Sequence, residues 1–388
     1  MARLHEYQGK ALLAERGIAV PRGGPASTPQ QAAERARALI EDGAEGVVIK
    51  IQAWTTGRAA IGGVAFAATP EEAATHATRL LAMKVGAFPV TEVIVEEKIA
   101  IAHELFVSLN IDDAARAPVL LLSFSGGSGV EERAGEVHRL PCHPLDGLDS
   151  AAVGAALRQS GIEAGFHEAL TSLAHAVFRT ARETEARSVE INPVAITGDG
   201  WVVAADCRMT IDDYAVFRHP ELGIDIAREL DHPPTRLERI AYAIEQADHR
   251  GTFYFAELPR DGGADEMLIG FHGAGGGGSM MSMDAVTREG FTLANFCDTS
   301  GNPSVAKVYA AARIILAQPG IIGYFGSGSG VASQEQYHSA YGLAKAFWEM
   351  RLPIPAVIRL GGNSEDRAVE ILESIAGKVR GTVEGYRK

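Results

Sequence analysis

Val189-Glu190-Ile191-Asn192-Pro193, followed at 201–206 by Trp-Val-Val-Ala-Ala-Asp, decides how the first half of the chain is arranged. Both runs are largely apolar, and the turn Thr197-Gly198-Asp199-Gly200 lies between them. Two apolar runs joined by a Gly-Asp-Gly turn are typical of an antiparallel hairpin. We therefore predict a β-hairpin whose strands carry Glu190, Asn192 and Asp206.

Upstream of this hairpin, helix and strand signals do not alternate regularly. Thr28-Pro29-Gln30-Gln31 and Thr69-Pro70-Glu71-Glu72 each place Thr at N-cap, Pro at N1 and Gln or Glu at N3, which predicts two helix starts. Strands are predicted at Val47–Ile51, 92–95, 105–111 and 119–123, and a long helix at 166–183. This order predicts an α+β fold for the first half.

The second half repeats a strand, a glycine-rich turn and a helix. A strand at 267–271 is predicted to end in the turn His272-Gly273-Ala274-Gly275-Gly276-Gly277-Gly278, and a strand at 320–325 in Gly326-Ser327-Gly328-Ser329-Gly330. Helices at Val305–Leu316 and 333–349, a strand at Ala356–Leu360 and a last helix from Glu365 complete the pattern. It predicts a parallel α/β sheet with ligands at the carboxyl ends of its strands. Consecutive prolines within 230–237 mark the junction, so we expect domains at 1–237 and 238–388.

The composition limits the class of protein. The 388 residues include 46% hydrophobic and 22% charged residues, as in soluble globular proteins. The net charge of -13 argues against a general nucleic-acid binder. No apolar run approaches the roughly 20 residues that span a bilayer, and the N-terminus is too polar for a secretory signal. Three separated cysteines suit a reducing compartment, so we expect a cytoplasmic location.

A glycine-containing loop follows the strand that carries Lys50. Glycines such as Gly57 let the backbone approach phosphate oxygens, and Lys50 and Arg58 supply the opposite charge. Taken alone, such a loop is a weak signal, because glycine-containing loops also serve as plain turns.

The predicted hairpin carries oxygen ligands on neighbouring strands. Glu190, Asn192 and Asp206 can face one side and hold Mg²⁺, which keeps several waters and binds nucleotide phosphates. The alternative is a solvent-facing acidic strand with an Asx turn at Asn192-Pro193. The position of Glu190, Asn192 and Asp206 within apolar runs favours a functional role, because a buried carboxylate without a partner is costly.

The turn at 326–330 is placed so that backbone N–H groups at the start of the following helix can hold an anion. The alternative is a flexible connection between strand and helix. His272 is interpreted from its position alone as a strand-end residue capped by backbone.

The motifs resemble those of the β subunit of succinyl-CoA synthetase and its ADP-forming relatives. The most specific matches are the opening Leu4-His5-Glu6-Tyr7-Gln8-Gly9-Lys10, Ile101-Ala102-His103-Glu104-Leu105, Glu190-Ile191-Asn192-Pro193, the run 211–218 and Ala294-Asn295-Phe296-x-Asp298. The resemblance implies an ATP-grasp fold followed by a flavodoxin-like parallel α/β domain. It also implies ATP and CoA as co-substrates and Mg²⁺ as cofactor. A partner α subunit, in an αβ or (αβ)₂ complex, would bind most of CoA and carry a histidine that is phosphorylated.

The resemblance also implies roles for individual residues. Nucleotide contacts are implied for Lys50, Gly57, Arg58, Glu96 and Glu104. Asn192 and Asp206 would hold Mg²⁺, and Glu190 would be the catalytic glutamate that meets the histidine of the partner. The acid substrate would lie against His272, Gly326, Ser327, Gly328 and Ser329.

Two departures from the family pattern change the expectation. Ala60 stands where the family's phosphate loop has a lysine, although Lys50 and Arg58 remain, so we expect nucleotide binding to survive. His272 stands where the succinate enzymes have an asparagine, and the 326–330 turn has gained hydroxyls and glycines. We therefore expect a short carboxylic acid other than succinate, with a second polar or anionic group such as a hydroxyl or sulfonate.

Two other functions stay open. A stand-alone ATP-grasp carboxylate–amine ligase would be active without a partner. A non-catalytic paralogue would have lost activity with the loop lysine, and ATP binding with and without Mg²⁺ separates it from an enzyme.

Overall fold

The computed structural model describes residues 1–55, 57–86, 88–127, 137–260, 266–328 and 335–387. The chain divides into two compact units, Met1–Pro233 and Pro234–Lys388, so the division falls within the proline-containing segment 230–237. The assignment of separate functions to the two units stays a prediction.

The first unit contains helices and strands in irregular order, as predicted. Its helices are α1 (Glu6–Glu15), α2 (Pro29–Glu41), α3 (Pro70–Leu81), α4 (Ser150–Gln159) and α5 (His167–Glu183). Its strands are β1 (Ala2–Arg3), β2 (Gly23–Ala26), β3 (Val47–Ile51), β4 (Val64–Ala67), β5 (Lys84–Val85), β6 (Phe88–Pro89), β7 (Val93–Glu97), β8 (Ile101–Asp112), β9 (Ala117–Ser123), β10 (His138–His143), β11 (Gly147–Leu148), β12 (Ala186–Thr197), β13 (Val202–Ala204) and β14 (Arg208–Ile211).

The smaller sheet of this unit has the strand order β2-β7-β3-β4 and packs against α2 and α3. Both helices begin as the capping pattern predicts, since the hydroxyl oxygens of Thr28 and Thr69 accept hydrogen bonds from backbone N–H groups at N3. Val47, Ile49 and Ile51 of β3 are fully buried in the core of this sheet. Lys50 lies between two of these apolar residues, so its charge requires a partner.

The larger sheet has the strand order β1-β14-β12-β8-β9-β10-β11, and β13 pairs with β12. The predicted hairpin is confirmed, because β12 and β13 are antiparallel, with Val194 opposite Ala204 and Ile196 opposite Val202. The expectation that Asp206 lies on the second strand is wrong. β13 ends at Ala204, and Asp206 lies in the short connection to β14.

The second unit is a parallel α/β structure. Its helices are α6 (Arg236–Ala247), α7 (Gly276–Arg288), α8 (Val305–Leu316), α9 (Tyr337–Glu349) and α10 (Glu365–Glu373). Its strands are β15 (Tyr254–Glu257), β16 (Leu268–Ala274), β17 (Thr292–Leu293), β18 (Asn295–Asp298), β19 (Gly323–Gly328), β20 (Ala356–Leu360) and β21 (Val383–Tyr386).

The strand order β18-β16-β19-β20-β21 is parallel throughout, with β15 antiparallel at the β18 edge. Short β17 pairs with Leu268 and Ile269 of β16 and β18 pairs with Gly273, so β17 and β18 lie one after the other along the edge of β16 opposite β19. Counted in chain order, the parallel strands follow the flavodoxin order 2-1-3-4-5, whose switch point lies between β16 and β19. The predicted flavodoxin-like topology is therefore confirmed.

The glycine-rich run after 271 is not the turn that the sequence suggested. His272, Gly273 and Ala274 belong to β16, and Gly276, Gly277 and Gly278 form the first turn of α7, which the sequence did not predict. Gly275 adopts a φ of 100° between them. Glycine occupies position 273 within the strand because β16 packs closely against α7: a Cβ on Gly273 would lie 1.9 Å from Oγ of Ser279.

The second predicted turn is corrected in the same way. Gly326, Ser327 and Gly328 are the last residues of β19 rather than a turn, and a Cβ on Gly326 would lie 2.8 Å from Cδ1 of Ile358. Ser329, Gly330 and the predicted helix start at 333 lie wholly outside the described residues, and α9 is assigned from Tyr337.

Candidate functional site

A cavity of about 740 Å³ in the first unit gathers most of the predicted site residues of that unit. Its walls come from β3 and the following loop, from β12 and from the 206–210 segment. The predicted residues that line it are Lys50, Gly57, Arg58, Glu190, Asn192 and Asp206. The cavity therefore brings together predicted residues that lie up to 156 positions apart in the sequence, from 50 to 206.

Lys50 and Arg58 are the two cations predicted to meet phosphate, and both are bound to carboxylates. Nζ of Lys50 lies 2.5 Å from Oε1 of Glu6 and 3.0 Å from Oε2 of Glu96, and donates to the carbonyl of Ala205 at 3.0 Å. The guanidinium of Arg58 donates to Oε2 of Glu6 and to Oδ2 of Asp206, each at 2.6 Å. It also donates to the carbonyl of Ile51 at 3.1 Å.

A third cation, Lys10, completes this cluster behind the cavity. Its Nζ donates to Oε1 of Glu6 at 2.7 Å and to both carboxylate oxygens of Glu96 at 2.7 and 2.8 Å. It also donates to the carbonyl of Ala205 at 2.9 Å. Lys10, Glu6 and Glu96 are at most 5% exposed.

The cluster is electrically balanced, with the cations Lys10, Lys50 and Arg58 facing the carboxylates of Glu6, Glu96 and Asp206. Burial alone would raise the pKa of Glu6, but the charges of Lys50, Lys10 and Arg58 outweigh it and hold that pKa well below its ordinary value. Burial would lower the pKa of Lys50, but the carboxylates of Glu6, Glu96 and Asp206 raise it above its ordinary value. The Glu6 carboxylate is therefore ionised and the Lys50 ammonium is protonated at neutral pH.

Asn192 is held in place by the backbone of Gly127. Its Oδ1 accepts a hydrogen bond from the Gly127 N–H at 2.8 Å, and its Nδ2 donates to the Gly127 carbonyl at 3.2 Å. Glu190 lies two residues earlier on the same strand, with its carboxylate 3.9 Å from Nη1 of Arg208. The side chains of Glu190 and Asp206 are 31% and 26% exposed, so the carboxylates face the cavity rather than an apolar core.

The oxygens of Asn192 and Asp206 fit the requirements of a hydrated Mg²⁺. Oδ1 of Asn192 accepts one hydrogen bond from Gly127, and Oδ2 of Asp206 accepts one from Arg58. Amide and carboxylate oxygens each have a second lone pair for a metal. Mg²⁺ needs few protein oxygens because it retains waters and takes others from phosphate.

Two of the predicted nucleotide contacts lie elsewhere in the first unit. Glu96, 1% exposed, is bound to Lys10 and Lys50 and is not among the residues that line the cavity. Glu104 is exposed on β8, and its carbonyl accepts a hydrogen bond from the N–H of Gly126 at 2.8 Å. Their contact with a nucleotide stays a prediction.

The second unit places His272 inside the sheet, with both ring nitrogens engaged. Nδ1 lies 2.6 Å from the hydroxyl of Tyr324, and Nε2 lies 3.0 Å from Oγ1 of Thr299. The Thr299 hydroxyl can donate to the carbonyl of Gly273 at 3.4 Å, so Nε2 carries the proton and Nδ1 accepts from Tyr324. Burial lowers the pKa of His272 to about 4, so the ring is neutral. Its partners are side chains, which corrects the expectation of a backbone cap.

The other predicted acid-binding residues lie near His272. His272, Gly326, Ser327 and Gly328 line a cavity of about 20 Å³, which is room for one water. Oγ of Ser327 lies 2.8 Å from Oγ of Ser282 on α7. Ser329 lies outside the described residues, and the acid-binding role of the group stays a prediction.

The sequence reasoning missed Glu6 and Lys10 as site residues, although it quoted their motif. Glu6, Gly9, Lys10 and Leu13 form the buried face of α1. Charged residues at i and i+4 on an otherwise apolar helix face are costly to bury singly. That spacing was the signal for a buried ion pair.

The comparisons with known proteins agree with this architecture. Residues 3–196 match the ATP-grasp domain family, so the chain is an ATP-grasp protein. It is 35% identical over 375 residues to the succinate–CoA ligase (GDP-forming) β subunit of Thermus thermophilus, covering 95% of this chain and 93% of that subunit. It is 33% identical over 378 residues to the ADP-forming β subunit of Ignicoccus hospitalis, with the same coverage. The chain belongs to the family of succinate–CoA ligase β subunits.

A solved structure confirms the fold over the whole chain. ATP citrate lyase from Methanothrix soehngenii, in complex with citrate and coenzyme A, matches with a TM-score of 0.73 at 19% identity. The match covers 100% of this chain and 96% of that chain. Among the described residues, no helix has both the length and the apolar character needed to cross a membrane.

Proposed function

We propose that this chain is the nucleotide-binding β subunit of an ADP-forming carboxylate–CoA ligase. The complete enzyme would make an acyl-CoA from a short carboxylic acid, CoA and ATP, through an acyl phosphate and a phosphohistidine on a partner α subunit. The observation that carries the proposal is the cavity in which Lys50 and Arg58 lie with Glu190, Asn192 and Asp206. Family membership supports the same reaction class.

The residues of the cavity suit phosphoryl transfer, which depends on positioning and on neutralising charge. Arg58 offers a planar set of N–H donors that matches phosphate oxygens. Mg²⁺, when bound by Asn192 and Asp206, would neutralise further phosphate charge. Glu190 is half-buried at the wall of the cavity, where its carboxylate can accept a hydrogen bond from an imidazole N–H of the partner and orient that ring.

The nucleotide is proposed to be ATP. One similar subunit is GDP-forming and another is ADP-forming, so relatives of this chain differ in the base that they accept. The phosphates meet Lys50 and Arg58 in either case, and a comparison of ATP with GTP in the assay below decides the preference.

We also propose that the acid is not succinate but a short acid with a second polar or anionic group. The neutral His272, with both nitrogens engaged by Thr299 and Tyr324, presents no free donor to a second carboxylate. The hydroxyls of Ser282 and Ser327 lie close to the same edge of the sheet and can exchange their mutual bond for one to a substrate.

The test is CoA-dependent ADP release by this chain co-expressed with its α-type partner. The panel contains succinate, other short mono- and dicarboxylic acids, hydroxy acids and sulfonated acids, each with ATP and with GTP. Asp206→Ala is expected to abolish release, and Asp113→Ala, which removes an exposed carboxylate from the turn after β8, is expected to retain it. Succinate turnover as fast as that of any other acid would end the substrate proposal alone.

One observation favours a second candidate, a non-catalytic nucleotide-free paralogue. Nζ of Lys50 already contacts Glu6, Glu96 and the carbonyl of Ala205 in the same chain. Ala60, which stands where the family has the loop lysine, supplies no further cation for phosphate. A stable complex with the α-type partner that neither binds MgATP nor releases ADP with any acid would establish this candidate instead.

A further inference from the structure

We propose that Glu6 is a positioning residue that fixes Lys50 and Arg58 for nucleotide phosphates, and that Lys10 holds Glu6 in turn. The inference rests on the proposed function and deepens it, because it assigns a role to the opening motif that the reaction scheme leaves unused. Glu6 is the first residue of α1, where the helix dipole favours a carboxylate.

One carboxylate contacts both Lys50 and Arg58, which line the cavity. Oε1 of Glu6 lies 2.5 Å from Nζ of Lys50, and Oε2 lies 2.6 Å from Nη1 of Arg58. The side chain of Glu6 is 3% exposed, and donors from Lys10, Lys50 and Arg58 hold its carboxylate in place. The separation of the two cations is therefore fixed by the width of a single carboxylate group.

Lys10 holds this carboxylate from the side away from the cavity. It lies one helical turn after Glu6 on α1 and donates to Oε1 of Glu6, to Glu96 and to the carbonyl of Ala205. Lys10 does not line the cavity among the described residues. Its effect on a ligand therefore passes through Glu6 and Glu96.

The N–H groups that the described residues leave without an acceptor indicate which cation can donate a hydrogen bond directly to phosphate. Nζ of Lys50 donates to Glu6 and to the carbonyl of Ala205, and lies 3.0 Å from Oε2 of Glu96. Arg58 uses Nη1 for Glu6 and Ile51 and Nη2 for Asp206, and no described residue accepts from its Nε. Arg58 thus keeps donors for phosphate while Glu6 and Asp206 hold its plane, and Lys50 contributes its charge from a fixed distance.

A merely structural role for Glu6 makes a different prediction. If Glu6 only balanced charge in the core, removal of its charge would destabilise the first unit and affect every ligand equally. Removal of one cation together with it would restore the balance. If Glu6 positions the cations, the loss is confined to ligands that carry phosphate.

The experiment compares three variants of the full chain with the wild type by equilibrium binding. Glu6→Gln keeps the shape of the side chain and removes its charge. Glu15→Gln removes a carboxylate from the same helix, at a side chain that is 68% exposed, and is the matched control. The double variant Glu6→Gln with Lys10→Met removes one anion and one cation together. Each is titrated with MgATP, MgADP and adenosine, and its melting temperature is recorded.

Glu6→Gln is expected to weaken MgATP and MgADP binding by about 10- to 100-fold, the effect of losing one hydrogen bond to a charged group. The Kd of Glu6→Gln for adenosine is expected to stay within about twofold of the wild-type value. The Kd of Glu15→Gln for MgATP is expected to stay within the same range. The double variant is expected to remain as weak for MgATP as Glu6→Gln. Restoration of MgATP binding in the double variant, or equal losses for MgATP and adenosine, would overturn the inference.

The two proposals fail in distinguishable ways. Unchanged MgATP affinity in Glu6→Gln, with normal binding by the wild type, removes the inference and leaves the proposed function intact. Absence of MgATP binding by the wild-type chain removes the proposed function and the inference together.

Discussion

Replacing Arg58 by lysine keeps the positive charge of the phosphate cavity but removes its planar geometry. Arg58 contacts Glu6, Asp206 and the carbonyl of Ile51 through two different nitrogens. A lysine ammonium is a point charge on a flexible stem and lacks the two spaced nitrogens with which the guanidinium contacts Glu6 and Asp206. The substituted side chain is therefore expected to keep its contact with Glu6 and to lose the one with Asp206.

The expected magnitude follows from the contact that is lost. A hydrogen bond to a charged group contributes about 1.5–3 kcal/mol. The side chain of Asp206 is 26% exposed, so water replaces part of the lost interaction and the lower end of this range applies. About 1.5 kcal/mol corresponds to a roughly tenfold higher Kd for MgATP.

Isothermal titration calorimetry of the full chain with MgATP measures this change. Arg37→Lys, at an exposed position on α2, is the matched control and is expected to leave the Kd unchanged. An Arg58→Lys chain that binds MgATP within twofold of the wild type would show that the bridging geometry of the guanidinium has no part in binding.

Two further predictions concern the second unit. Lys307 is 1% exposed and donates to the carbonyls of Asp248, Arg250 and Gly251. Lys307→Met is therefore expected to lower the free energy of unfolding, measured by urea titration, by about 3 kcal/mol. The control Lys345→Met, at an exposed side chain, is expected to lower it by less than about 1 kcal/mol. An equal small effect of both changes would contradict the role given to the Lys307 contacts. His272 has a folded-state pKa lowered from 6.5 to about 4, so between these values the unfolded chain binds more protons and stability falls as pH falls. His272→Gln is expected to reduce this loss of unfolding free energy between pH 7 and pH 4.5. The control His249→Gln, at an exposed side chain, is expected to leave the loss unchanged. Parallel pH profiles of unfolding free energy for the wild type and His272→Gln would refute the assignment.

Regular elements with strong local signals were predictable from sequence. Val47–Ile51, Val305–Leu316 and Ala356–Leu360 have the predicted bounds, because apolar periodicity and burial specify the same residues in each. The helices that begin at Pro29 and Pro70 follow from their Thr caps. Local chemistry and tertiary packing agree at these positions.

The glycine-rich segments were misread because packing overrides local preference there. Glycine is a poor helix former, yet Gly276, Gly277 and Gly278 open α7. Gly273 and Gly326 lie within strands because a neighbouring side chain occupies the space that a Cβ would need. Only the position of the neighbour, which is distant in sequence, distinguishes such a glycine from one in a turn.

The candidate site was predictable as a set of residues but not as a network. Lys50, Arg58, Asn192 and Asp206 do line one cavity. Glu6, which contacts Lys50 and Arg58, and Gly127, which contacts Asn192, were not expected, because contacts across 44 to 65 residues leave no local pattern. The i, i+4 spacing of Glu6 and Lys10 was the part of the network visible in the sequence.

The balance of charges around Glu6 also bears on the order in which the polypeptide matures during synthesis. Residues 1–98 contain Lys10, Lys50 and Arg58 but only Glu6 and Glu96 of the opposing carboxylates. Asp206 and the carbonyl of Ala205 leave the ribosome more than 100 residues later. A nascent chain that stops short of residue 205 therefore carries one uncompensated positive charge in this region, and the pocket reaches neutrality only after the hairpin of β12 and β13 has been made.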